Sequence, residues 1–261
     1  MSAIRETTRR EFLVQLGGLG VMLTRPPRLL GQEKLPARMI PGTNESLPII
    51  GLGSSKPVLE IPTEGTEPVA AVIRMLLERG GRVVDTSIRP EAIDVEFGRV
   101  LAEPDIRDSI FLATKINTPD AELGIAQMLQ TQRLFPDRPF DLVQVESLRG
   151  LADHWPRLLE WKESGQTRYI GVTVSSYRNF DRLESFMRVE SPDFVHINYS
   201  VVETRAEERL LPLAQDLGMA VIINRPFMNG TYFGRVSGKD LPDWAADFDC
   251  AAWSQFSLKY I

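Results

Sequence analysis

Short apolar runs rich in β-branched residues alternate with longer stretches whose apolar positions recur at spacings of three and four, from about Leu47 to the end of the chain. The short runs predict strands over Ile49 to Leu52, Arg82 to Thr86, Ile110 to Lys115, Asp141 to Glu146, Tyr169 to Thr173, Phe194 to Tyr199 and Ala220 to Asn224. The longer stretches predict helices over Val69 to Arg79, Ile93 to Ala102, Ala121 to Gln132, Trp155 to Ser164, Phe180 to Arg188 and Arg205 to Leu217. Such alternation implies parallel strands joined by crossover helices. Gly80-Gly81, Gly165 and Gly218 each separate a helical run from the next strand, where a left-handed cap suits glycine.

The fold class expected is α/β, a (β/α)8 TIM barrel. An open doubly wound sheet is disfavoured because Gly51-Leu52-Gly53, the only Gly-x-Gly after a strand, has no third glycine opening a helix. After a long loop from Arg225 to Pro242, the run Cys250 to Ile261 reads as the start of another helix. The expectation is therefore a barrel truncated at its C-terminus after about seven β/α units, with two strand edges to be covered by other chain.

Three strands end in a charge: Arg82-Val83-Val84-Asp85, Ile110 to Lys115 and Asp141 to Glu146. The carboxyl ends of barrel strands converge on one rim, so these charges point to an enzyme site. The aromatics Tyr199, Tyr232 and Phe233 follow the later strands and are candidate pocket walls.

Composition narrows the partners. With 43% apolar and 25% charged residues and a net charge of -5, the 261-residue chain lacks the basic face that a nucleic acid needs, and no stable membrane insertion is expected. One cysteine, Cys250, and two histidines, His154 and His196, make neither a disulfide framework nor a metal cluster. His154 opens a predicted helix and is expected at the surface, whereas His196 lies inside a strand.

The start of the chain has a different texture. Thr8-Arg9-Arg10-Glu11-Phe12-Leu13 precedes a short apolar stretch from Val14 to Leu23, the form of a twin-arginine export signal. This divides the chain into a signal segment, residues 1–31, and a barrel domain, residues 32–261. It implies the twin-arginine export machinery as a partner and a periplasmic location. The alternative is a frayed amphipathic N-terminus on a cytoplasmic protein.

The ordered set Leu47-Pro48-Ile49-Ile50-Gly51-Leu52-Gly53, Val84-Asp85-Thr86-Ser87, Ala113-Thr114-Lys115, Asp141 to Glu146, Gly165 to Thr173 and Ile197-Asn198-Tyr199-Ser200 resembles the aldo-keto reductase family. The likeness runs from about Leu47 to Ile261 and is strongest to a bacterial branch with a twin-arginine leader and the run Asn224-Arg225-Pro226-Phe227. It implies a barrel that binds NADP(H) at its carboxyl rim and reduces a small carbonyl substrate by hydride transfer.

Of the family's Asp, Tyr, Lys and His tetrad, Asp85 matches the aspartate and Lys115 the lysine. Pro90 stands at the tyrosine position and Glu146 at the histidine position. Glutamate there is similar to a steroid-reducing branch that acts on conjugated enones, its carboxyl polarising the substrate carbonyl. For the cofactor, Thr173 matches a residue that bonds the nicotinamide amide, with Val174 in place of the usual asparagine. His196 stands where a glutamine contacts the same amide, Asn224 where an aromatic stacks on the ring, and Arg225 is a candidate for the pyrophosphate. The alternatives to a reductase are a catalytically impaired ligand-binding barrel and an incomplete fragment of a longer reductase.

Overall fold

The structure is a computed structural model that describes residues 35–53, 56–134 and 138–261. The expected export signal, residues 1–31, lies outside the described residues.

A hairpin opens the described chain, β1 (Ala37–Met39) pairing antiparallel with β2 (Ser46–Pro48). Seven parallel strands follow: β3 (Gly51–Gly53), β4 (Val83–Asp85), β5 (Phe111–Ile116), β6 (Phe140–Glu146), β7 (Thr167–Thr173), β8 (Phe194–Asn198) and β9 (Ala220–Asn224), hydrogen-bonded in chain order. The main crossover helices are α1 (Glu67–Glu78), α2 (Glu91–Leu101), α3 (Ala121–Leu134), α4 (Leu151–Glu163), α5 (Phe180–Glu190) and α6 (Leu210–Asp216). Two more, α7 (Thr231–Val236) and α8 (Trp253–Tyr260), follow β9. The predicted helix caps hold, with φ of 86° at Gly80, 77° at Gly165 and 67° at Gly218.

Alternation along the strands sorts the side chains into two environments. Val84, Leu112, Val143, Val145, Ile170, Val172, Val195 and Ile197 face outward and pack with the helices. Val83, Phe111, Ala113, Leu142, Tyr169, Phe194 and Ile222 face inward and form one cluster with Ile40 and Leu47 of the hairpin. Strands three places apart in a flat sheet are about 14 Å apart. The rings of Phe111 on β5 and Phe194 on β8 nevertheless have centroids 5.9 Å apart, with Tyr169 against both, so the sheet is rolled into a nearly closed barrel. Among the described residues, β3 and β9 are its edges.

The hairpin closes the amino end of the barrel and was not expected, because strands of three residues leave no periodic pattern. Its Glu45 accepts from the Tyr169 hydroxyl at 2.9 Å and pairs with Arg168, which also donates to Asp141 at 2.7 Å. Buried Asp141 in turn accepts the Leu112 backbone N–H at 2.8 Å.

His154 departs from expectation: it is 2% exposed, with Nε2 2.7 Å from the Thr118 carbonyl oxygen. Its helix begins at Leu151, four residues before the predicted start. The imidazole lies where side chains at Gly124 and Gly150 would otherwise sit, a Cβ at either coming within 2.8 Å of the ring.

Gly171 faces into the barrel beside β8, and a Cβ there would lie 2.6 Å from the Phe194 carbonyl oxygen. Backbone cannot yield as a flexible side chain does. Gly171→Ala is therefore expected to destabilise the fold by about 1–3 kcal/mol, read as a lower denaturant midpoint; an unchanged midpoint would show that the two strands can part without cost.

Candidate active site

Rolling the sheet brings the carboxyl ends of its strands around one polar layer above the aromatic floor. Asp85 ends β4 and Lys115 lies near the end of β5, both on inward positions. Lys115 Nζ donates to Asp85 Oδ1 at 2.6 Å, to Asp85 Oδ2 at 2.5 Å and to the Thr86 carbonyl oxygen at 2.8 Å. These contacts tie the ammonium to the Asp85 carboxylate and to the backbone of the following residue. Gln144, inward on β6, adds an amide donor to Asp85 Oδ1 at 3.3 Å.

His196 comes from β8, on the far side of the roll, yet its Nδ1 lies 3.9 Å from Asp85 Oδ1. Burial pushes its pKa down to about 4, outweighing the attraction of Asp85, while Lys115 pushes the same way as burial. The ring is neutral at neutral pH, so the approach to Asp85 is not an ion pair. His196 Nδ1 is one of several buried polar atoms on the inner face without a hydrogen-bond partner; the others are Gln144 Oε1, Asn198 Oδ1 and Asn224 Oδ1.

Glu146, Thr173 and His196 sit side by side in register across β6, β7 and β8. Glu146 Oε2 accepts the Ser87 hydroxyl at 2.9 Å, and Thr173 Oγ1 accepts the Ser147 N–H at 3.5 Å. Asn224 donates through Nδ2 to the Val174 carbonyl oxygen at 2.9 Å, which turns its Oδ1 the other way. Arg225 is exposed at the outer mouth, and its Nη1 donates to the Ser175 carbonyl oxygen at 2.7 Å. Ser147 and Leu148 after β6, and Arg225 after β9, are left-handed, with φ of 54°, 58° and 56°. Such strain in residues with side chains persists only where the surroundings impose it.

The layer thus brings together Asp85, Lys115, Gln144 and His196, with Glu146 and Thr173 in the adjoining row and Arg225 outside. Tyr199 and Tyr232 are buried, each 3% exposed, while Phe233 is exposed. Sequence reading missed Gln144 and Ser87; each lies two residues from a singled-out acid, Glu146 or Asp85, and alternation puts Gln144 on the same inner face. It also missed Arg89, whose Nη1 donates at 2.7 Å to both Thr86 Oγ1 and the Ser87 carbonyl oxygen. Arg89 N–H donates to Asp94 at 3.1 Å. Burial lowers the pKa of Arg89 and raises that of Asp94, in each case against their mutual attraction. Among the described residues, no group of His, Cys, Asp and Glu side chains could hold a metal ion, and no helix is long and apolar enough to cross a membrane.

The structure is a parallel barrel with a buried lysine–aspartate pair at the carboxyl ends of adjacent strands, and comparison with known proteins gives it a family. Residues 50–247 match the Aldo/keto reductase family, and the chain belongs to it. Over 147 residues it is 27% identical to an aldo-keto reductase of Mycobacterium tuberculosis, which is 53% of this chain and 49% of the relative. The chain thus spans about half the length of the curated relatives it matches.

Two solved structures show the same fold. The holo form of an aldo-keto reductase from Bacillus halodurans superposes with a TM-score of 0.63 at 20% identity, covering 80% of this chain and 71% of that one. An aldo/keto reductase from Klebsiella pneumoniae, in complex with NADP and acetate, gives 0.60 at 18% identity, covering 74% and 68%.

The depressed pKa of His196 sets an acid sensitivity. Between pH 6.5 and about 4 the unfolded chain takes up a proton at this residue while the folded chain does not, so stability falls as pH falls through that window. The loss amounts to about 3 kcal/mol. His196→Gln is expected to flatten this part of the stability–pH curve, as followed by urea denaturation; an identical curve would mean the imidazole takes up its proton in the fold as readily as in the unfolded chain.

Proposed function

We propose that the chain is an NADP(H)-using oxidoreductase that reduces a small carbonyl compound or conjugated enone, with Glu146 rather than a tyrosine meeting the substrate oxygen. The observation that carries the reading is the row Glu146, Thr173 and His196 beside the closed Lys115–Asp85 pair. In support, the family is one of reductases, and a structural neighbour was solved with NADP.

The inner face suits a nicotinamide carboxamide. Asn224 Oδ1 is a buried acceptor without a donor, which an amide NH2 supplies, and His196 Nδ1 is a second buried polar atom without a partner. The Thr173 hydroxyl retains its own hydrogen for an amide oxygen. When bound, the reduced cofactor supplies a hydride. Arg225, exposed beyond β9, is the group proposed to meet its phosphates.

Within the protein, Asp85 fixes Lys115 and the ammonium lends positive potential to the layer. The ammonium of Lys115 is already bonded to Asp85 and to the Thr86 carbonyl, and Pro90 has no ionisable proton, so the role of polarising the carbonyl is given to Glu146. The closed Lys115–Asp85 pair is also what favours a second reading, a ligand-binding barrel without turnover. An N-terminal twin-arginine leader over residues 1–31 and export to the periplasm belong to the same proposal.

Titration of the purified protein with NADPH, followed by tryptophan fluorescence, is expected to show saturable binding, about fivefold weaker in Thr173→Val for the loss of one hydrogen bond of about 1 kcal/mol. No binding by a folded protein would remove the oxidoreductase reading. With a carbonyl and enone panel, Glu146→Gln is expected to lower kcat by about 100-fold, and Pro90→Tyr to raise carbonyl reduction. Wild-type rates in Glu146→Gln would sink the role given to the carboxyl, and an unchanged rate in Pro90→Tyr the claim that a proton donor is limiting.

A further inference from the structure

We infer that Ser87 is a positioning residue that locks the Glu146 carboxyl in one orientation and leaves Oε1 as its working oxygen; the inference rests on the reading of Glu146 given above. The orientation follows from a chain of hydrogen bonds that begins at an unambiguous donor. The Asn117 backbone N–H lies 3.3 Å from Gln127 Oε1 on α3, and a backbone N–H can only donate, so this atom of Gln127 is its oxygen. The Gln127 amide nitrogen is then the atom 2.9 Å from Asn117 Oδ1. That turns the Asn117 amide nitrogen toward the Ile88 carbonyl oxygen at 3.4 Å and Ser87 Oγ at 3.5 Å. The Ile88 carbonyl can only accept, which requires the same orientation of Asn117 independently.

Ser87 therefore has a donor aimed at its oxygen and directs its own hydrogen to Glu146 Oε2 at 2.9 Å. From Gln127 through Asn117 and Ser87 to Glu146, every donor points the same way, toward the carboxyl. Oε2 is thus occupied by the Ser87 hydroxyl, and Oε1 is the oxygen left to face a substrate. The four residues come from α3, the loops after β5 and β4, and the end of β6, so the rim of neighbouring barrel units holds a side chain that has three free torsions when unrestrained.

The test reads the carboxyl directly and then its consequence. Protein labelled with 13C at the glutamate side-chain carboxyl gives a Glu146 resonance identified by its absence in Glu146→Gln. Ser87→Ala is expected to move that resonance and Ser87→Thr, which keeps the hydroxyl, to return it. On the substrate panel, Ser87→Ala is expected to lower kcat about 10-fold with KM within about twofold, and Ser87→Thr to recover most of the loss. An unmoved resonance in Ser87→Ala overturns the inference. So does a moved resonance with unchanged kcat when Glu146→Gln is inactive. Full activity in Glu146→Gln overturns instead the reading on which the inference rests, and the two failures are told apart because the resonance is recorded without substrate.

Discussion

Phe111 and Phe194 approach to 5.9 Å although two strands lie between theirs, and this contact holds the inner face of the sheet together. It exists because alternate residues of β5, β7 and β8 carry large aromatic rings at one level, and those rings leave water only if the sheet rolls until they touch. The contacts that cross the polar layer above depend on that roll. Asp85 and His196 belong to strands four places apart, about 19 Å in a flat sheet, and stand 3.9 Å apart here. Gly171 belongs to the same constraint, since a side chain at that point would force β7 and β8 apart beneath the layer.

Desolvation governs the electrostatics of the layer more than pairing does. His196 stays neutral although a carboxylate lies 3.9 Å away, because full burial costs the imidazolium more than that neighbour returns. Arg89 and Asp94 obey the same rule, each shifted toward its neutral form despite the opposite charge nearby. Lys115 and Asp85 differ in geometry: both Asp85 oxygens and the Thr86 carbonyl oxygen lie against the ammonium. Removing either partner of such a buried pair strands the other.

What the sequence made legible was whatever depends on short range. The strands read as β-branched runs, the helix ends as glycines, and Asp85, Lys115 and Glu146 as charges where apolar runs stop. Thr173 and His196 were named through a family likeness, and register then set them in one row with Glu146. Contacts between distant units were hidden. Ser87 reaches Glu146 across 59 positions and Gln144 reaches Asp85 across another 59, distances at which no periodicity speaks. The burial of His154 was hidden for a similar reason: it depends on two glycines, Gly124 and Gly150, vacating the space the ring fills. The hairpin at the amino end was missed because its two strands are each three residues long.

The segment from Thr86 to Pro90 shows how one loop can join structure to chemistry. Its backbone closes the lysine pair through the Thr86 carbonyl, and its Ser87 hydroxyl reaches Glu146. Its Arg89 folds back on Thr86 and Ser87 and ties the loop to Asp94 in the first turn of α2. Pro90, with φ of -50° and ψ of 136°, stands as the residue before that helix, where a fixed φ and a missing N–H are both tolerated. The loop is thus held at Thr86, Ser87 and Arg89, and its rigidity is transmitted to Glu146 through Ser87. Glu146 depends on this loop more than Asp85 does, because Asp85 is held by Lys115 and Gln144, whereas the Ser87 hydroxyl gives the Glu146 side chain its direction.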